Sequence, residues 1–505
     1  MLNPRNLFLF VTVGFLFALI YDWTNLNKEQ KLERSLYVQN SSNINSYRVI
    51  SNNFLEIHVD PFDGAIKQAY LSEKTERGGL YKTRLMSNDE LLRFYFKTSV
   101  SGFSANGFDI ESASEDELVL VKKDSLGSEL RKTFLFSDDY SLFIRDELST
   151  PGTAFGDIKI FKTFYRDANK SIDYGTSFSR DHLAYSHNDD VFNDEQLSSI
   201  DSKESYVGHW IGYSQKHFVV SVFNPINTQN IVLYPQDSNG LYRFGFEESM
   251  APNLGVFESD TFIFLGPKKK EVLEGVAPHF KYNLDLGFVF GIGEFFIIVM
   301  NYINSFVYDW GLSIIILTIL FKIVLSPLQI MQIKSMVKMR ELSPKIQDIQ
   351  QTHKGDQQKM SMEMMSLYRK EGFNPAAGCL PLFAQFPIFI AMFWVAREAF
   401  EFRGEGFLWI PDLAESDPLM ITPVLMGVLM FASQKFMPKP PQTQGLQAQV
   451  AQQMMFVFPP MITLIFLFMP AAVVIYSVIN MLLSIIPQLL IVGRVVGSDG
   501  SGGGG

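Results

Sequence analysis

Residues 314 to 327 read Ile314-Ile-Ile-Leu-Thr-Ile-Leu-Phe-Lys-Ile-Val-Leu-Ser-Pro327, an apolar stretch with one cation, Lys322, near its middle. It lies in a run from Asp309 to Leu328, about the 20 residues that an α-helix rising 1.5 Å per residue needs to cross a hydrocarbon core of ~30 Å. A cation inside such a helix costs about 2.5 to 3.5 kcal/mol on insertion scales, so it faces a wet cavity or a polar partner, or it snorkels. Lys322 is about seven residues, roughly 10 Å, from the nearer end, a distance that a lysine side chain covers only in part.

Working outward, comparable apolar runs occupy Ala377 to Arg397, Leu419 to Phe436, Met454 to Met469 and Ala471 to Val492, and Phe468-Met-Pro-Ala471 is the turn of a tight hairpin between the last two. Leu7 to Tyr21, between Arg5 and Asp22, is a sixth; no small-x-small cleavage site follows it, so it reads as a retained anchor rather than a secretory signal. Leu286 to Val307 could pass for a seventh, and loop charge decides against it. Gln329 to Ala376 holds eight Lys+Arg against five acids, whereas Glu398 to Asp417 holds Arg403 against six. The positive-inside rule puts the first loop in the cytoplasm and the second outside, with both termini inside. Leu286 to Val307, interrupted by Glu294, Asn301 and Asn304, is then expected as an amphipathic helix on the outer membrane surface.

The remaining sequence fits that plan. The chain has 505 residues, 47% hydrophobic and only 19% charged, which excludes disorder, and a lone cysteine, Cys379, excludes a disulfide framework or a multi-cysteine metal site. The net charge of -10 sits in the front part: residues 1–306 hold 29 Lys+Arg against 40 Asp+Glu, which argues against a nucleic-acid partner. From about Ile50 to Pro278 short alternating runs such as Phe54-Leu-Glu-Ile-His-Val59, Glu117-Leu-Val-Leu-Val121, Phe134-Leu-Phe136 and Thr261-Phe-Ile-Phe-Leu265 are broken by Gly, Asp, Asn and Pro, predicting an all-β sandwich. The expected layout is an anchor at 1–24, a polar linker at 25–49, the β domain at 50–284, the surface helix at 285–308, a helical membrane core at 309–496 containing a cytoplasmic hairpin at 329–376, and a tail at 497–505. No HExxH, GxSxG or Walker-type phosphate loop is present, and no enzyme activity, metal or cofactor is expected.

Besides Lys322, the spans contain Thr318, Gln385, Gln434, Asn480, Ser484 and Gln488. Each alone reads as an ordinary helix–helix hydrogen bond, worth roughly 0.6 kcal/mol; together with the lysine they could line a hydrophilic groove that admits polar, preferably acidic, segments. The hairpin arms from Gln332 to Arg369 carry Met336 and Met339, and Met360, Met364 and Met365, with Lys354-Gly-Asp356 at the tip. Methionine there serves either hairpin packing or an adaptable surface for varied apolar clients.

Three longer motifs then point to a family. Ser335-Met-Val-Lys-Met-Arg-Glu-Leu-Ser-Pro-Lys-Ile-Gln347, Glu363-Met-Met-Ser-Leu-Tyr368 and Asn374-Pro-Ala-Ala-Gly-Cys-Leu-Pro-Leu-Phe-Ala-Gln-Phe-Pro-Ile-Phe389 resemble the YidC/Oxa/Alb membrane insertases, of the Gram-negative type with a large periplasmic domain. Asp417-Pro, Leu425-Met-Gly-Val-Leu-Met-Phe431 and Val276-Ala-Pro-His279 match as well. The resemblance implies an inner-membrane insertase and chaperone: a periplasmic supersandwich and a five-helix core whose groove opens to cytoplasm and lipid. Its clients would be nascent membrane proteins sliding past Pro387, Phe458 and Tyr476, and it implies the Sec translocon as a partner. Lys322 stands where many relatives have arginine, so the charge survives and the bidentate fork does not. Ser477 stands where some have a substrate-contacting tyrosine, with Tyr476 adjacent. Their basic carboxy-terminal tail is missing after Arg494, so the resemblance gives no tail-mediated ribosome contact. From the residues alone, a transporter or channel with a cytoplasm-facing vestibule stays open, as does a β binding module on a membrane anchor. Paired broken half-helices would mark the transporter, and five spans beyond the anchor exceed what anchoring needs.

Overall fold

A computed structural model describes residues 47–74, 80–89, 92–104, 106–125, 127–150, 158–167, 181–187, 192–250, 256–353, 355–374, 380–436 and 457–499. The anchor Leu7 to Tyr21, the linker up to residue 46, Cys379, the loop from Pro438 and the side chain of Met336 lie outside the described residues. The chain divides between Asp285 and Leu286 into a β unit and a helical unit.

The β unit is two nine-stranded sheets whose neighbouring strands are all antiparallel. One runs, in spatial order, Arg48–Ser51, Leu55–Asp60, Ala65–Lys74, Leu80–Asp89, Leu92–Val100, Ile158–Asp167, Leu241–Met250, Gln229–Tyr234, Glu204–Gly208. The other runs Asn193–Glu195, His182–Tyr185, Trp210–Ser214, Phe218–Phe223, Val256–Pro267, Ser141–Ser149, Glu129–Phe136, Glu117–Lys123, Asp109–Ala113. The period-two patterns produce this: in Glu129–Phe136, Leu130, Lys132 and Phe134 are buried while Arg131 and Thr133 are not. Phe94, Phe96, Phe164 and Phe244 fill the interior with ring centroids 4.8 to 5.7 Å apart. The sandwich interior is therefore where many of the phenylalanines go.

That interior also holds an ion pair. Lys132 and Asp146 sit directly opposite each other on neighbouring strands, are 0% and 1% exposed, and bond to each other. The Lys132 ammonium also donates to the Thr98 carbonyl, at 3.2 Å, and to the Thr98 hydroxyl on the facing sheet. Gly64, with a φ of +63°, packs over the lysine stem, where a Cβ would approach Lys132 Cδ to 2.9 Å.

The helical unit contains α1 (Phe290–Val307), α2 (Trp310–Thr352), α3 (Gln357–Lys370), α4 (Leu380–Glu398), α5 (Ile421–Phe436), α6 (Val457–Phe466) and α7 (Ala471–Asp499). Asp309 starts α2 by accepting the Leu312 N–H at 2.8 Å. The helix then continues through Pro327 and Pro344, so the span and the first hairpin arm, read as separate parts from the sequence, form one 43-residue element. Asp356 caps α3, and Gly355, at a φ of +100°, makes the turn before it. Among the described residues, Phe290–Val307, Trp310–Met339 and Ala471–Gln488 are long and apolar enough to cross a membrane, with shorter apolar helices at Ile421–Gln434 and Val457–Phe466. By length and composition α1 matches the spans, and only loop charge separates it from them.

The loop between α4 and α5 is pinned to α7: the Ala471 N–H donates to Glu415 O at 2.7 Å and that of Ala472 to Leu413 O at 3.0 Å. Within it, buried Asp417 accepts from the Thr422 N–H and hydroxyl, both at 2.8 Å, from the Leu419 N–H at 3.0 Å, and from the Trp409 indole at 3.2 Å. Burial opposes the charge, but these donors, led by the Thr422 N–H, hold the carboxyl below the usual aspartate range. A folded-state value below the unfolded one adds stability above about pH 4, which is lost as pH falls through the depressed value. Asp417→Asn is expected to cost about 1 to 3 kcal/mol, since its amide N–H₂ would face donors, and to flatten the fall in melting temperature of the detergent-solubilised protein between about pH 5 and pH 3. An unchanged acid limb would show that the Asp417 charge is not what the loop loses.

Candidate functional site

Four polar residues recur at intervals of four along α7: Tyr476, Asn480, Ser484 and Gln488. That interval places them on one ridge of the helix, and each meets a partner from another helix. The Lys322 ammonium on α2 donates to Asn480 Oδ1 at 3.0 Å and to Ser484 Oγ at 2.6 Å. Two turns away, Gln329 on the same helix donates to the Ser484 carbonyl at 3.2 Å. Gln385 on α4 donates to the Tyr476 hydroxyl, and Ser433 on α5 donates to Gln488 Oε1 at 3.3 Å.

The site therefore assembles Lys322, Asn480, Ser484, Gln385 and Gln488 from the sequence-predicted set. Thr318, one turn before Lys322, is buried with its hydroxyl donating to Ile314 O at 2.7 Å, so it is used within its own helix. Gln434 is half-buried on α5 and is not hydrogen-bonded to the others. Gln329 and Ser433 were not singled out in the sequence, although the spacing of seven from Lys322 puts Gln329 on the same face.

Chemically, this is a cation held by neutral oxygens. Among the described residues no carboxylate pairs with Lys322, and two of its three N–H bonds are occupied. An acceptor on a visiting segment can take the third, or displace Ser484, whose hydroxyl also donates to Asn480 O at 2.7 Å and keeps that bond without the lysine. Lys322 is half-buried, and the adjoining Ile323 and Val324 are 64% and 73% exposed, so the charged position adjoins an open apolar surface. No group of three or more His, Cys, Asp or Glu suited to a metal occurs among the described residues.

The expected client path separates into two kinds of residue. Phe458 is exposed and Pro387 half-buried, and between α4 residues Phe383 and Phe386, exposed at 70% and 60%, the outward surface is larger than the sequence reading identified. Tyr476, by contrast, is buried with its hydroxyl bound by Gln385. It belongs to the polar interior and presents no outward face, because its phenol finds a partner only there. In the hairpin of α2 and α3 Met339 packs with Leu367 and Tyr368 against Leu342, Ile346 and Phe373. Met360 and Met364 are half-buried, whereas Met365 and Met362 are exposed, so methionine serves packing at some positions and surface at others.

Residues 302–497 match the family model of the 60Kd inner membrane protein and residues 49–299 that of the YidC periplasmic domain. The chain is 38% identical over 305 residues to a protein of Pseudomonas fluorescens (strain Pf0-1) named membrane protein insertase YidC, a match covering 60% of this chain and 53% of that protein. Thus the matched stretch spans about half the length of that relative. A protein of the same name from Saccharophagus degradans is 34% identical over 392 residues, covering 75% of this chain and 68% of the relative. Among solved structures, an active YidC insertase with its first transmembrane domain resolved aligns with a TM-score of 0.37 and 18% identity, over 88% of this chain and 92% of that one.

Proposed function

Because this chain belongs to the YidC family of inner-membrane proteins, we propose that it inserts client proteins into the inner membrane and helps them fold, without nucleotide hydrolysis or any covalent step. The observation that carries this reading is Lys322, held by Asn480 and Ser484 on a polar ridge of α7 beside exposed apolar surface. A client's polar tail, when it leaves water, needs donors and acceptors inside the membrane. The ridge supplies neutral partners and one positive charge, which favours acidic tails. The client's apolar helix leaves along Phe383, Phe386, Pro387 and Phe458, and its transfer into lipid drives the step. Exposed Met362 and Met365 on the hairpin offer adaptable contacts to apolar segments before entry.

In this reading both termini are cytoplasmic, the β unit is periplasmic, α1 lies on the outer surface, and six segments span. The partners are nascent inner-membrane proteins and the surrounding lipid, with the Sec translocon as a cooperating channel and the ribosome as a further contact. Vesicles containing the purified chain test it. A one- or two-span client added during synthesis is expected to become protease-protected only when the protein is present. Flux of small solutes without client protection would favour the transporter reading and overturn this one.

A further inference from the structure

The two-residue turn at Leu408 and Trp409 carries apolar side chains where a water-facing hairpin turn favours Asn-Gly. Phe407 and Ile410 close it with reciprocal backbone hydrogen bonds, both of 2.9 Å. These flanking residues point inward: Ile410 is buried, and the Phe407 ring lies so close to Gly311 of α2 that a Cβ there would sit 2.1 Å from it. The turn residues point outward. Leu408 is 75% exposed at a φ of +54°, a left-handed conformation costing about 1 to 2 kcal/mol for a non-glycine residue. Trp409 is partly exposed with its indole N–H already donated to Asp417, so its outward edge is purely apolar.

Water gives no return on that arrangement, since glycine or asparagine would remove the strain and hydrate the tip together. Lipid does. The same exposed apolar surface continues through Leu419, Met420 and Ile421 into Val424 and Val428 on the outward face of α5. The loop is also held in place: Leu413 N–H donates to Glu405 O at 2.9 Å, and Trp310 of α2 meets Phe402 edge to face at 5.6 Å. We propose that the Leu408–Trp409 turn is a lipid-seated wedge, entering the headgroup–acyl boundary of the leaflet in which α5 begins and tying the α4–α5 loop to the bilayer.

The test uses the full chain with Cys379→Ser, carrying Leu408→Cys or the control Phe62→Cys, an exposed site in the β unit. Each is placed in nanodiscs of phosphatidylcholine and phosphatidylglycerol, where both faces meet the buffer. A fluorescent probe at 408 is expected to be quenched by shallow nitroxide lipids about threefold more than one at 62, and by aqueous iodide about threefold less. Because an apolar probe could itself pull the tip into lipid, the unlabelled cysteines are also scored by reaction with a charged maleimide, expected to be about tenfold slower at 408. Iodide quenching and maleimide rates equal to those at 62 would place the turn in water. Protection from both iodide and nitroxide would place it under protein, a second copy or another segment. Either result overturns the wedge.

Discussion

Lys322→Ala is expected to reduce insertion of a client with an acidic polar tail by about tenfold or more, while Lys322→Arg retains most of it. The lysine is the single charge in an otherwise neutral cluster, and hydrogen bonds to a charged group are worth about 1.5 to 3 kcal/mol, which at 1.4 kcal/mol per decade spans roughly tenfold to a hundredfold. Folding should survive, because Asn480 and Ser484 are neutral and the Ser484 hydroxyl keeps its own bond to the Asn480 carbonyl when the lysine is gone. Lys322→Met separates charge from packing, since it keeps the stem and removes only the ammonium. Arginine preserves the charge and adds a fork that can reach both Asn480 and a client carboxylate. The measurement is the protease-protected fraction of client in vesicles, with neutral-tailed and acidic-tailed versions compared. Normal insertion of both tails by the alanine variant would remove the charge from the mechanism and leave the hairpin and the outward faces of α4 and α6 to carry it.

The second large effect concerns the β unit. Asp146→Leu or Lys132→Met alone is expected to destabilise the sandwich by about 3 to 5 kcal/mol, because each leaves its partner charged and buried without a counter-charge. Lys132 is the more connected of the two, bonding the Thr98 carbonyl and hydroxyl on the facing sheet as well as Asp146. The double variant Lys132→Met/Asp146→Leu should recover most of the loss, since two apolar side chains of similar volume continue the rows Leu130–Phe134 and Ile144–Leu148. Hydrogen exchange of the strand Glu129–Phe136 in the full-length protein reads this directly. Singles that exchange at the wild-type rate would mean that water reaches the pair.

Much of this protein was legible in its residues. Alternation in Glu117–Val121 and Thr261–Leu265 becomes strands of a two-sheet sandwich, and the apolar runs around Lys322 and after Ala471 become helices long enough to span. Of the Lys354-Gly-Asp356 tip, Lys354 lies outside the described residues, and Gly355, between α2 and α3, takes a left-handed φ. The sequence reading ends the span at Leu328, where the charged stretch begins, but a change in polarity does not end a helix. Helix α2 runs on through Pro327 and Pro344, because a proline removes one hydrogen bond and need not break a helix whose neighbours hold it. Lys132 was not singled out, because a lysine between Leu130 and Phe134 looks like any polar residue at a strand position until the facing sheet is seen.

The division follows from what each property depends on. Hydropathy and alternation are sums over neighbours in the chain, so the residues by themselves determine which segments are strands, which are apolar helices, and that a cation lies inside one of them. The rotation of each helix about its axis is set by packing against others, and only the tertiary structure decides it. It brings Lys322 to Asn480, 158 residues away, turns Tyr476 inward to Gln385, leaves Phe383 and Phe386 outward, and stands Leu408 at an exposed tip. The four-residue interval from Tyr476 to Gln488 was present in the sequence throughout; which partner each rung would meet was not, because partners on other helices are chosen by side-chain interdigitation across the bundle.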